Sequence, residues 1–117
     1  MAPRSPVEDG EAYAQEVSDK PNQPISPEDA AAALVGHPGW VVERTRLYRD
    51  FRFPDFRAAM TFVNRVADLA EERRHHPNVR IHEWCFVNLE LYSHKAGGLS
   101  RYDVDFALAL DELLEET

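Results

Sequence analysis

Cysteine is almost absent. Cys85 stands alone among 117 residues, which excludes an internal disulfide and any zinc site built on several thiolates. Positive charge is also short: 13 Lys and Arg face 21 Asp and Glu, and the net charge of −8 opposes non-specific attraction to nucleic acid or to an anionic membrane. No apolar run reaches the length of a membrane span, and the first residues lack the charged-then-apolar order of a secretory leader. No internal repeat is visible. The expected address is a reducing, aqueous compartment, the cytoplasm. The chain is long enough for one domain with a single modest core.

Residues 1–24 combine Pro3, Pro6, Pro21 and Pro24 with five acidic residues between Glu8 and Asp19 and show no sustained apolar period, the pattern of a disordered acidic extension. The domain is expected over 25–117. Ser26-Pro27-Glu28-Asp29 has a cap, a proline suited to the first helical position, and an acid three residues after the cap. A short helix should follow and end near Gly36. His37-Pro38-Gly39 reads as a turn, with His37 an exposed loop residue.

From Trp40 to Phe53, β-branched and aromatic residues alternate with charges, which predicts two short antiparallel strands whose arginines mark a solvated face. Binding of nucleic acid by Arg44, Arg46, Arg49 and Arg52 runs against the acidic balance of the whole chain. Asp55 should cap the longest helix, with Phe56, Met60, Val63, Val66, Ala67 and Ala70 as its core stripe. Pro77 disfavours helical geometry at His76, so that helix should stop around Arg73 to His75. Val79 to Ile81 makes a third strand. Trp84 to Ser93 makes a fourth, with Cys85, Val87, Leu89 and Leu91 turned to the core. A last helix starts at Ser100. The expected architecture is α+β: a four-stranded antiparallel sheet with about three helices on one face, in the order α-β-β-α-β-β-α.

Four of the five histidines fall between residues 75 and 94. Imidazole can donate or accept a proton near neutral pH, so His75, His76 and His94 are candidates for proton transfer. Plainer roles compete. Adjacent histidines at a helix C-terminus favour the negative end of its dipole, Asp103 sits where a capping box with Ser100 would put it, and Glu71 could face solvent. A metal site from His75, His76, His82, His94 and Asp103 lacks any compact ligand spacing. Cys85, on the core face, reads as an inert thiol.

The set Glu71, His75-His76-Pro77, Trp84, His94 and Asp103 resembles the pterin-4a-carbinolamine dehydratase family, supported by Gly39-Trp40, Phe51-x-Phe53-x-Asp55-Phe56 and the GGLS before Asp103. The resemblance covers most of residues 26 to 115. It implies the α+β fold above, assembly as a homodimer or homotetramer with sheets joined edge to edge, and dehydration of a 4a-hydroxytetrahydropterin to the quinonoid dihydropterin, without metal or redox cofactor. By resemblance His75, His76 and His94 surround the pterin, and Asp103 orients or charge-stabilises His94. Glu71, Arg74, Pro77, Trp84, Tyr92, Ser93 and Lys95 join the substrate-binding set. The stretch from Pro77 to His94 is one residue longer than the commonest family pattern, and a bulge near His82-Glu83 would absorb it. The family also implies an alternative: a non-enzymatic binding factor, such as a Rubisco assembly chaperone or a dimerisation cofactor of a homeodomain transcription factor.

Overall fold

The computed structural model describes residues 23–93 and 96–115, so residues 1–22 of the expected extension lie outside them. Its last two residues are structured. Pro24 forms a β-bridge with Ser100, and Arg101 N–H donates to the Gln23 carbonyl at 3.1 Å.

Helix α1 (Pro27–Ala33) begins as its sequence dictates, with Pro27 first and Ser26 Oγ accepting the Asp29 N–H at 3.0 Å. Strands β1 (Val41–Val42) and β2 (Leu47–Arg52) follow, then helix α2 (Phe56–Arg73), strands β3 (Asn78–His82) and β4 (Phe86–Leu91), and helix α3 (Arg101–Glu115). All pairings are antiparallel, in the spatial order β1-β2-β4-β3. This is the expected α+β architecture.

Period-two alternation decides which sheet face is dry. Leu47, Phe51, Val87, Leu89 and Leu91 are buried against Phe62, Val66, Val104, Phe106 and Leu110 of the two long helices. Cys85 is buried as expected. Truncating Leu89 or Phe106 to alanine should cost about 3 kcal/mol, the size of a lost core side chain plus the cavity it leaves.

Five expectations need correction. Phe56 and Met60 are exposed, and the buried face of α2 is Ala59, Phe62, Val66 and Ala70. Both stripes have helical spacing, and the aromatics Phe51 and Phe53 select the second by stacking on Phe62 at 4.9 Å.

Arg49 does not lie on a solvated face. It shares the inner face of β2 with Leu47 and Phe51, and its Nη1 donates to Asp111 Oδ1 at 2.9 Å. The guanidinium lies over Phe51, 4.5 Å from the ring centre. A Cβ on Gly39 would come within 2.7 Å of Arg49 Nε, so the glycine makes room for this pair. His37 is half-buried rather than loose, with Nδ1 2.7 Å from Asp111 Oδ2.

The extra residue between Pro77 and His94 makes no bulge. The register from Asn78↔Glu90 to His82↔Phe86 is unbroken, and in the turn that joins the two strands Glu83 and Trp84 both adopt left-handed backbone. Trp84 is therefore outside the strand and 61% exposed.

Candidate active site

The site begins with how α2 ends. Arg74 adopts the left-handed conformation (φ 53°), the position usually given to glycine. His75 N–H reaches back to the Ala70 carbonyl at 3.1 Å, and Arg74 N–H to that of Glu71 at 3.3 Å. These two bonds are the Schellman pattern of a helix end. A left-handed arginine costs about 1 kcal/mol, and the reversal turns His75 inward toward the start of α3.

There His75 Nε2 lies 2.6 Å from Asp103 Oδ1. The imidazole stacks on Tyr102 at 5.0 Å and meets the edge of Phe106 at 6.1 Å. Asp103 is completely buried. Its second oxygen, Oδ2, accepts the Ser100 N–H at 2.8 Å and lies 3.1 Å from Ser93 Oγ and 3.3 Å from Ser100 Oγ. The two hydroxyls are 2.6 Å apart. The backbone bond from Ser100 is half of the expected capping box, so Asp103 caps α3 with one oxygen and meets His75 with the other.

The chemistry follows from this division. An ionised carboxylate only accepts, and Oδ2 is satisfied by the serines, so Oδ1 accepts the hydrogen bond that Nε2–H of His75 donates. That assignment leaves Nδ1 of neutral His75 with the lone pair, and Nδ1 makes no hydrogen bond among the described residues. A carboxylate-oriented imidazole can accept a proton and pass it on. Tyr102 closes one face of the ring. Its own phenol is raised by burial, against an opposing effect of the Arg74 charge, so it stays a neutral wall.

His76 points elsewhere. Its Nε2 is 2.6 Å from Glu71 Oε2, and the pair is more than 60% exposed on both sides. His82, further along β3, stacks on Phe86 at 5.2 Å.

Beside the Asp103 cluster, a concave pocket of about 410 Å³ is lined by residues including Thr45, Arg46, Asn78, Glu90, Tyr92 and Ser93. Ser93 belongs to both, since its hydroxyl contacts Asp103 and its residue lines the pocket.

The structure thus brings together His75, Asp103 and Ser93, keeps Arg74 near them through Tyr102, and puts Tyr92 on the pocket wall. Glu71 with His76 forms a separate exposed pair, and Pro77 links that pair to β3. Trp84 is at the opposite end of β4 from Ser93 and joins neither group. His94 and Lys95 lie outside the described residues, so Asp103 is seen against His75 where His94 was expected. Sequence reasoning paired Ser100 with Asp103 but missed Tyr102 and Phe106, which lie on the same first turns of α3. It also missed Asn78 and Glu90, which face each other across β3 and β4. Among the described residues no three His, Cys, Asp or Glu side chains are grouped to hold a metal ion, and no described helix is long and apolar enough to cross a membrane.

Comparison with known proteins identifies the lineage. Residues 23–113 match the family profile described as pterin 4 alpha carbinolamine dehydratase. A Thermomicrobium roseum protein named "Putative pterin-4-alpha-carbinolamine dehydratase" is 47% identical over 83 residues, 71% of this chain and 88% of the relative. A protein of the same name from Thermosynechococcus vestitus is 39% identical over 89 residues, 76% of this chain and 93% of its own length. Among solved structures, a transcriptional coactivator/pterin dehydratase from Brucella melitensis superposes with a TM-score of 0.67 at 27% identity, covering 76% of this chain and 96% of that one. A pterin dehydratase-like RuBisCO assembly factor of the alpha-carboxysome superposes with a TM-score of 0.56 at 26% identity, covering 66% and 90%. On the extent of the profile match and the identity of these relatives, the chain belongs to the pterin 4 alpha carbinolamine dehydratase family.

Proposed function

We propose that this protein dehydrates a 4a-hydroxytetrahydropterin to the quinonoid dihydropterin and water. The observation that carries the reading is His75, held through Nε2 by the buried Asp103 with its other nitrogen left to do chemistry. The reaction asks for little else. One proton must reach the departing 4a-hydroxyl, which leaves as water, and one must leave N5 as the N5–C4a double bond forms. Neither step changes the oxidation level of the substrate, so acid–base groups near neutral pH suffice. His75, His76 and His94 are the proposed catalytic set, and Asp103 positions His75. Arg74, Tyr92, Ser93 and Lys95 are the proposed substrate-binding residues, with Glu71 acting through His76 and Pro77 shaping the turn. Trp84, in the turn before β4 and at the other end of that strand from Ser93, would act only at another subunit's site or not at all.

Assembly belongs to the same proposal. Phe56 and Met60 form an exposed apolar stripe on α2, and β3 leaves a strand edge without a neighbour in the sheet, so a homodimer or homotetramer covers surface that a monomer leaves wet. The acidic extension over 1–24 lies outside the catalytic domain of 25–117, and the cytoplasm is the proposed compartment. The likeness to the RuBisCO assembly factor favours a second reading, a binding factor that keeps the fold without the turnover. The Asp103–Ser93–Ser100–His75 network supports the enzyme, because it holds an imidazole beside a concave pocket with one ring nitrogen unbonded among the described residues.

The test is turnover of freshly generated 4a-hydroxytetrahydropterin, followed by ultraviolet absorbance against the spontaneous rate. Acceleration supports the dehydratase. Folded protein that leaves the buffer rate unchanged sends the reading to the binding factor.

A further inference from the structure

We propose that Glu90 is the specificity-determining group of the pocket, its carboxylate pairing with the 2-amino and N3–H donors of the substrate's pyrimidinone ring. The proposal rests on the dehydratase reading and deepens it, since that reading says where protons move but not what recognises the ring.

The geometry points to Glu90 in three steps. First, it lies on the outer face of β4, three residues before Ser93, and lines the same pocket. Ser93 lines that pocket too, while its hydroxyl turns to the opposite side of the chain and meets Asp103.

Second, the carboxylate is fixed from two sides. Asn78 Nδ2 donates to Oε1 at 2.8 Å and Arg46 Nη1 donates to Oε2. Arg46 is itself held by Glu43, with Nε 2.7 Å from Oε1, and rests over the Tyr48 ring at 4.5 Å. These contacts hold Glu90 below the usual carboxylate range, the Asn78 bond contributing most and Arg46 next. It is therefore ionised at neutral pH.

Third, the two bonds do not exhaust it. A carboxylate offers about four acceptor positions, so about two remain, one on each oxygen. Two parallel acceptors match two parallel N–H donors, the arrangement that makes carboxylate–guanidinium pairs bidentate. The ring edge of a 2-amino-4-oxopteridine presents that donor pair. The pocket volume of about 410 Å³ is in the range that holds a small bicyclic ligand.

A competing account makes Glu90 a plain cross-strand tie between Arg46 and Asn78. That role would move stability and leave ring selectivity alone, so selectivity separates the two. The experiment titrates the full-length protein, wild type and Glu90→Gln, with pterin and with lumazine, in which a 2-oxo group replaces the amine. Wild type should prefer pterin by at least about tenfold, because the lumazine oxygen would face the carboxylate. Glu90→Gln should bring the two rings within about threefold. Asn78→Ala, which keeps the charge but frees it to swing, should weaken the preference to an intermediate value. Equal binding of both rings by wild type, or an unchanged preference in folded Glu90→Gln, overturns the proposal while dehydratase turnover stands. If wild type binds neither ring and also fails to accelerate dehydration, the pterin reading falls and this proposal with it.

Discussion

His75 and His76 are neighbours in the chain, and each has a carboxylate oxygen 2.6 Å from its Nε2. The resemblance ends there. The side chain of His75 is 12% exposed and its partner Asp103 not at all, whereas His76 and Glu71 are 62% and 64% exposed. A bond in water competes with water and is screened, and exposed ion pairs are worth roughly 0–1 kcal/mol. In the buried pair the same contact replaces hydration that neither group can recover, so losing one partner strands the other. Distance alone would rank these pairs as equals. Burial, and the serines that satisfy the far side of Asp103, separates a fixed, oriented imidazole from a solvent-exposed pair.

The difference can be broken most severely at Asp103. Asp103→Ala strands His75, Ser93 and the Ser100 N–H at once, and should cost about 3 kcal/mol in denaturant unfolding. Asp103→Asn keeps the shape but can present its amide to Nε2 and reverse the imidazole tautomer. Its turnover should fall by roughly 100-fold or more with a smaller loss of stability. Next comes a sharper test of the neighbours: His75→Ala should lower turnover by about 100-fold or more, and His76→Ala by less. Glu71→Gln should change stability by under about 0.5 kcal/mol, and added salt should erase even that.

Asp111 offers an independent repeat of the buried case. It accepts from Arg49 and holds His37 as Asp103 holds His75, but away from the pocket. Asp111→Ala should therefore destabilise by about 3 kcal/mol and leave turnover per folded molecule unchanged.

The smallest expected effect is on pH. Glu90 has its carboxyl lowered in the folded protein, so its stabilisation is complete above the ordinary glutamate range of about 4.3 and is lost as pH falls through the lower folded value. Glu90→Gln should flatten stability against pH in that acid window and nowhere else.

The sequence already contained the frame of the site. Ser26, Asp55 and Pro77 mark where helices start or stop, and the alternation through Val87, Leu89 and Leu91 sets the inner face of β4, because caps and periodicity are local physics. What lies beyond them depends on which distant group arrives. Nothing near Asp103 in the chain says that its free oxygen meets a histidine 28 residues earlier, or that Arg49 meets Asp111. Phe56 and Met60 failed for a related reason: a helix with two apolar stripes does not say which one its own chain covers. Arg74 is different again. Its left-handed backbone is what turns His75 inward, and arginine gives no local sign of it.

The most direct test compares dehydration of 4a-hydroxytetrahydropterin by wild type and by folded His75→Ala against the spontaneous rate. The account predicts clear acceleration by wild type and its loss on removing this one imidazole, with His76→Ala affected less. Wild type no faster than buffer, or His75→Ala as fast as wild type, would contradict it.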